Sequence, residues 1–125
     1  MLNKVYLDPD KTLSLKELEC PHCHQVKVHP DLVAAWVKLR KRVRQPIRIN
    51  SGYRCWQHHE NIYKQKYPNA WQQKITKNSY HLKGMALDLA VPAGLTATEF
   101  LNLAKWAGFT YAYIISPTAI HVDVR

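Results

Sequence analysis

No stretch of this 125-residue sequence approaches the ~20 consecutive apolar residues of a membrane span, so no membrane insertion is expected. The opening segment MLNKVYLDPDKTLSLKELEC also lacks the uninterrupted apolar run of a secretory leader, which predicts a protein made soluble and in the cytoplasm. No low-complexity block, Gly/Ser linker or repeat with a period of roughly 20 to 50 residues appears. With 46% hydrophobic residues, the chain therefore reads as one domain over residues 1–125, with one core. Cysteine is scarce and odd in number: three, at 20, 23 and 55. In a reducing compartment that argues against a disulfide framework and leaves a metal or free thiols. Acids are scarce too, nine against eighteen Lys and Arg, and the resulting charge of +9 favours a polyanionic partner such as nucleic acid, anionic lipid or bacterial wall polymer. The basic residues are densest in KLRKRVRQPIR, residues 38–48, which is equally the solvated face and exit of a helix.

What is present has clear periodicity. HPDLVAAWVKLRKRVR sets Pro30 near a helix start and Leu32, Trp36, Leu39 and Val43 on one stripe, which should pack on a sheet. PIRINSGYR begins as a short strand with Ile47 and Ile49 on one face, then breaks at Ser51-Gly52, leaving Arg54 just beyond a strand end. WQHHENIYKQKYP predicts a helix stopped before Pro68, and NAWQQKITKNS a long surface loop. GMALDLAV has the apolar run of a buried strand. TATEFLNLAKWAGF is a helix capped by Thr96 or Thr98, with Phe100, Leu101, Ala104 and Trp106 inward and Gly108 ending it. TYAYIIS and AIHVDVR are two closing strands. Helices first and strands mostly later, with short final connections, predict an α+β domain whose sheet is mainly antiparallel and packed with helices.

Asp88 lies inside the apolar strand, where a carboxylate is costly unless a cation meets it. His121 and Asp123 alternate with Ile120, Val122 and Val124, so the two polar side chains share a strand face that should line a cleft. His81, Asp88 and His121 together form the two-imidazole, one-carboxylate set that holds zinc and leaves a coordination position open to water. Gly84, between the first two, would permit a sharp turn or a close approach of substrate.

SGYR, then SYHLKGMALDL, then a terminal HVDVR resemble the zinc D-alanyl-D-alanine carboxypeptidase family of murein peptidases. That family includes phage L-alanyl-D-glutamate endolysins and shares its fold with the hedgehog signalling domain. The resemblance covers nearly the whole chain and is closest to the compact single-domain members of phages and prophages. It implies a hedgehog/DD-peptidase-like fold with His81, Asp88 and His121 as zinc ligands. It also implies that Arg54 holds the substrate's carboxylate or carbonyl, a task suited to its two-pronged guanidinium, and that Ser79 helps position substrate. The implied activity is zinc-dependent hydrolysis of a peptide bond in peptidoglycan stem peptides, as a D,D-carboxypeptidase or an endolysin-like endopeptidase. Several branches of the family carry an acid three residues before the last ligand, and here Thr118 stands there, with Ala119 next. Asp123 is therefore the candidate for the proton-accepting base or for a group that orients His121.

CPHC, with Cys20 and Cys23, is half of a zinc knuckle, and CWQHH offers Cys55 with His58 or His59. A closed Cys3His structural site of Cys20, Cys23, Cys55 and His59 would pin the N-terminal segment to the loop bearing Arg54, with His22 and His24 as other fourth ligands. Three buried thiols are the alternative. Trp36 and Trp106 read as core, and Tyr53, Tyr80, Tyr111 and Tyr113 as core or cleft wall. Against the peptidase stand a basic zinc nucleic-acid-binding protein and a catalytically inactive, metal-containing wall-binding module. For the peptidase the expected partners are peptidoglycan stem peptides and no nucleic acid, and the expected state is a monomer; the endolysin resemblance implies release to the wall through a phage holin, and a role in the cytoplasm on recycled or precursor peptides is the alternative.

Overall fold

The computed structural model describes residues 5–125; residues 1–4, part of the segment read above as lacking a leader, lie outside the described residues. A short hairpin-like entry brings Tyr6 beside Ser14. Between them the Asp8 carboxylate accepts hydrogen bonds from the backbone N–H groups of Thr12 and Leu13 and from the Thr12 hydroxyl. Ser14 then caps α1 (Leu15–Leu18), its hydroxyl accepting from Glu17 N–H while the Glu17 carboxylate accepts from Ser14 N–H.

α2 (Pro30–Val43) starts where expected, with Pro30 in its first turn, and ends at Arg44 in the left-handed region. Its stripe of Leu32, Ala35, Trp36 and Leu39 is buried. The helix packs chiefly on α5 (Ala97–Ala107) rather than directly on the sheet. α5 is capped at Thr96 through a reciprocal bond pair with Glu99 and closed by Gly108 at φ 119°. Trp106, expected inside, is 55% exposed and lies beneath the Lys38 ammonium of α2 at 4.6 Å. Position 106 falls off the Phe100–Ala104–Ala107 stripe that the helix buries, and the pairing with Lys38 covers part of the indole.

A four-stranded antiparallel sheet is built from β1 (Ile49–Ser51), β2 (Ala86–Ala90), β3 (Tyr111–Ser116) and β4 (Ala119–Asp123) in the order β1-β2-β4-β3. Ile47 is buried but precedes β1. Leu87, Leu89, Ile120 and Val122 face the helices and join Leu13, Leu18, Trp36, Leu39, Phe100 and Phe109 in the core. Each fully buried Leu, Ile or Phe of that set contributes roughly 1.5–3 kcal/mol by leaving water. α3 (Trp56–Lys66) follows β1, ending before Pro68 as expected. The segment read as a plain loop contains a single helical turn, α4 (Trp71–Lys74), against which α3 packs. The Lys64 ammonium of α3 lies 4.8 Å from the Trp71 ring, a contact between elements that no local pattern announces. Among the described residues no helix is long and apolar enough to cross a membrane.

Candidate metal centre and cleft

Asp88 and His121 sit directly opposite one another on β2 and β4, and Tyr113 of β3 lies opposite His121 on its other side. Strand alternation sends these three to one face while Leu87, Leu89, Ile120 and Val122 go to the core. His81 arrives from a 3-10 turn, Tyr80–Lys83, whose start is capped by the Ser79 hydroxyl accepting from His81 N–H at 3.3 Å. Gly84 ends that turn at φ 68°. A side chain there would collide with the backbone of Lys27 and Val28 at 2.4–2.8 Å, so the close approach at Gly84 is by the chain's own N-terminal segment and not by a substrate. The Gly84 carbonyl also accepts from His29 N–H at 2.8 Å, fixing the turn to the start of α2.

The sheet and the turn bring His81, Asp88 and His121 together, with one donor atom from each within 4.8 Å of the others. His81 Nε2 is 3.2 Å and His121 Nδ1 3.0 Å from the same carboxylate oxygen, Asp88 Oδ1. The far nitrogens are committed: His81 Nδ1 lies 2.8 Å from the Gly52 carbonyl and His121 Nε2 lies 2.8 Å from Asp123 Oδ2. A carbonyl and a carboxylate only accept, and Asp88 Oδ1 on the near side only accepts too, so each ring lies between two acceptors and a neutral imidazole has one proton for two places. With that proton on the far nitrogen, each imidazole turns a lone pair toward an anionic oxygen. That arrangement requires positive charge at its centre, from added protons or from a metal ion. The protonation behaviour agrees. Burial acts to raise the Asp88 carboxyl, but His121 and His81 outweigh it and hold it well below the usual range. Burial acts to lower His121, yet Asp88 and Asp123 outweigh it and raise it.

Asp123 is wholly buried behind His121, one oxygen shared between His121 and Arg125 and the other taken by Arg125 Nε at 2.9 Å. Of the two roles anticipated for Asp123, this geometry suits the orienting group. A base has to reach solvent or substrate, and neither oxygen does.

Arg54, just past β1 as expected, directs Nη2 to Asp88 Oδ2 at 3.5 Å and is tied to the His81 turn by its backbone N–H, 3.2 Å from the His81 carbonyl. Its Nη1 lies 3.3 Å from His59 Nδ1, and its buried Nε has no hydrogen-bond partner among the described residues. His59 was expected among the cysteines. Instead its Nε2 reaches the Thr76 carbonyl at 2.7 Å and its Nδ1 accepts from Arg54, so the ring is fully occupied on the opposite side. Burial first, and Arg54 next, depress its protonation, which keeps Nδ1 an acceptor. His59 thus lies on the Arg54 side of α3 and not among the cysteines where the sequence reading placed it.

A cleft of about 680 Å³ opens over the cluster between β3 and α3, lined by Arg54, His58, Tyr63, Lys66, Ser79 and Tyr113 among others. A second hollow of about 560 Å³ continues past Ser79, Tyr113 and His121 to Lys77, Tyr111 and Arg125. Tyr113 stacks on the His121 ring at 4.7 Å, and the tyrosines at 80, 111 and 113 serve as cleft wall. Asp88 is the one carboxylate among the described lining residues. Thr118 lies exposed at the β3–β4 turn, its N–H bonded to Ser116 Oγ.

Cys20, Cys23 and Cys55 form a second group able to hold a metal, their sulfurs within 4.8 Å of one another. The fourth position expected of His59 is empty of it, and the imidazole that lies against a sulfur is His22, Nδ1 3.6 Å from Cys55 Sγ.

No protein-family model matches the sequence, and no curated protein matches it. Among solved structures the chain is similar to the L-Ala D-Glu endopeptidase ChiX of Serratia marcescens, with a TM-score of 0.52 over 78% of this chain and 80% of that one, at 19% identity. The likeness is one of fold.

Proposed function

We propose that this chain, as one domain over residues 1–125 and as a monomer, hydrolyses a peptide bond in peptidoglycan stem peptides with a zinc ion held by His81, Asp88 and His121. The observation that carries the reading is the convergence of two imidazole nitrogens on one carboxylate oxygen, with both far ring nitrogens facing acceptors of their own. A donor set of two imidazoles and a carboxylate suits zinc, and the fold likeness to an L-Ala D-Glu endopeptidase supports the substrate class. The fold family implied is the hedgehog/DD-peptidase one.

Bound there, the ion would polarise the scissile carbonyl and make water a nucleophile near neutral pH. The rest belongs to the chain. Arg54, with an unpartnered Nε and a fork already beside Asp88, binds a carboxylate or carbonyl of the stem peptide. Ser79 fixes the His81 turn and presents its hydroxyl in both hollows. Asp123 holds the His121 ring and its proton in place. Proton transfer falls to a lining group, and His58 fits because burial, then Arg54, lowers its protonation and leaves it a neutral acceptor. Tyr113, raised by burial and next by Asp88, stays a phenol that donates.

Incubation of the protein with isolated murein sacculi, with and without a chelator, tests this. Chelator-sensitive release of fragments is the expected result, and their new termini distinguish D,D-carboxypeptidase from endopeptidase cleavage. The absence of a second carboxylate from the described lining favours one other reading, a metal-containing wall-binding module without turnover. Sacculi that bind the protein and stay intact would establish it in place of the peptidase.

A further inference from the structure

We propose that Cys20, Cys23, Cys55 and the imidazole of His22 form a second, closed metal site of zinc type that fastens the Cys20–Cys23 turn to the segment bearing Arg54. The sulfurs of Cys20 and Cys55 are 3.6 Å apart and Cys23 completes the group. Backbone N–H groups are aimed at these sulfurs: Cys55 N–H donates to Cys20 Sγ at 3.4 Å, joined by those of Cys23 and His22, and His58 N–H donates to Cys55 Sγ at 3.5 Å in the first turn of α3. Backbone donors of this kind suit a sulfur that carries negative charge, the form that binds metal. Three thiolates this close repel one another unless a cation lies between them.

The fourth ligand follows from where each neighbouring histidine points. His59 is spent on Arg54 and Thr76. His24 faces Glu19 Oε1 at 3.2 Å. His58 lines the cleft. His22 has its Nδ1 3.6 Å from Cys55 Sγ on an exposed ring, and a rotation that brings it toward the other two sulfurs would complete a tetrahedron. Three thiolates and one imidazole leave no open position, so the site is structural. What it secures is already in contact: Tyr53 N–H bonds the Leu18 carbonyl at 3.0 Å, and a side chain on Gly52 would press on Leu18 Cα at 3.0 Å. The staple closes one residue beyond Arg54. It stands whether or not the cleft hydrolyses anything.

Titration of the metal-free protein with cobalt(II) tests it. Wild type should bind two equivalents, one of them with sulfur-to-cobalt charge-transfer absorption that persists in His81→Ala and is lost in Cys20→Ser/Cys23→Ser. His22→Ala, at an exposed position, should keep the thiolate absorption but shift the visible bands and weaken that equivalent by ~10-fold or more. Wild-type protein without thiolate absorption, or isolated with a Cys20–Cys55 disulfide shown by a mass lower by two hydrogens, would overturn the site. A His22→Ala spectrum and affinity matching wild type would remove His22 from it.

Discussion

His59 is a neutral imidazole clasped between the Arg54 guanidinium and the Thr76 carbonyl, so its worth lies in where it holds Arg54. Truncation to alanine should cost about 2–3 kcal/mol in denaturant unfolding, from the lost buried contacts and the orphaned Arg54 donor. On the proposed reaction it should raise KM more than it lowers kcat, whereas His58→Ala should act mainly on kcat; steady-state kinetics on a soluble stem peptide separates the two. Gly84→Ala should lose ~2 kcal/mol or more. Gly84→Asn should not recover it, because asparagine tolerates the positive φ but still drives a Cβ into the Lys27 backbone. Asp123→Asn should weaken metal binding ~10- to 100-fold, measured by competition with a chromophoric chelator. At this scale the sequence was readable wherever residue type alone dictates chemistry: an acid in an apolar strand asks for a cation, and Asp88 has two imidazoles and Arg54 around it. It was unreadable where direction matters. Position 59 is one helical turn after Cys55, which fits a ligand spacing, but the ring leaves the helix on the Arg54 side. Tyr113 could have been placed from strand alternation once the register of β3 against β4 was known, and register is not a local property.

Elements show the same division. α2, α3, α5 and the three later strands follow their apolar spacing, caps and breakers closely, because each signal acts within a turn or a pleat. α4 escaped notice since WQQK has no capping side chain and no buried residue; its turn rests on packing with α3. Trp106 shows that size and hydrophobicity do not decide burial when helical phase opposes them. The loop before α1 carries a titratable anchor. The Asp8 carboxyl lies below its ordinary value: burial acts to raise it, but the Thr12 hydroxyl and the N–H groups of Leu13 and Thr12 prevail. A carboxyl lowered on folding adds stability that is fully present above the unfolded value near ~4 and is lost as pH falls through the folded value. Asp8→Ala should therefore cost about 1 kcal/mol at neutral pH, as for a lost cap, and flatten the decline in Tm below pH ~4.

For the molecule as a whole, a charge of +9 predicts adsorption to anionic wall polymers that weakens as salt shortens the screening length to ~8 Å at 0.15 M and less beyond. Pelleting with sacculi across a salt series would show this, and retention unchanged at high salt would point to contacts other than charge. The pairing of β2 with β4 has a larger consequence. These strands are remote in sequence, and both present apolar side chains on one face and ionisable ones on the other. Sliding either by one residue would bury Asp88 or His121 in the core and turn Leu87 or Val122 toward the cleft. Because Asp88 stands opposite His121 in the native alignment alone, an ion that needs both acts as a proofreader of strand alignment. Refolding with the metal present should therefore yield a more uniform population than refolding without it, and the candidate metal centre would double as an inspector of the chain's own assembly.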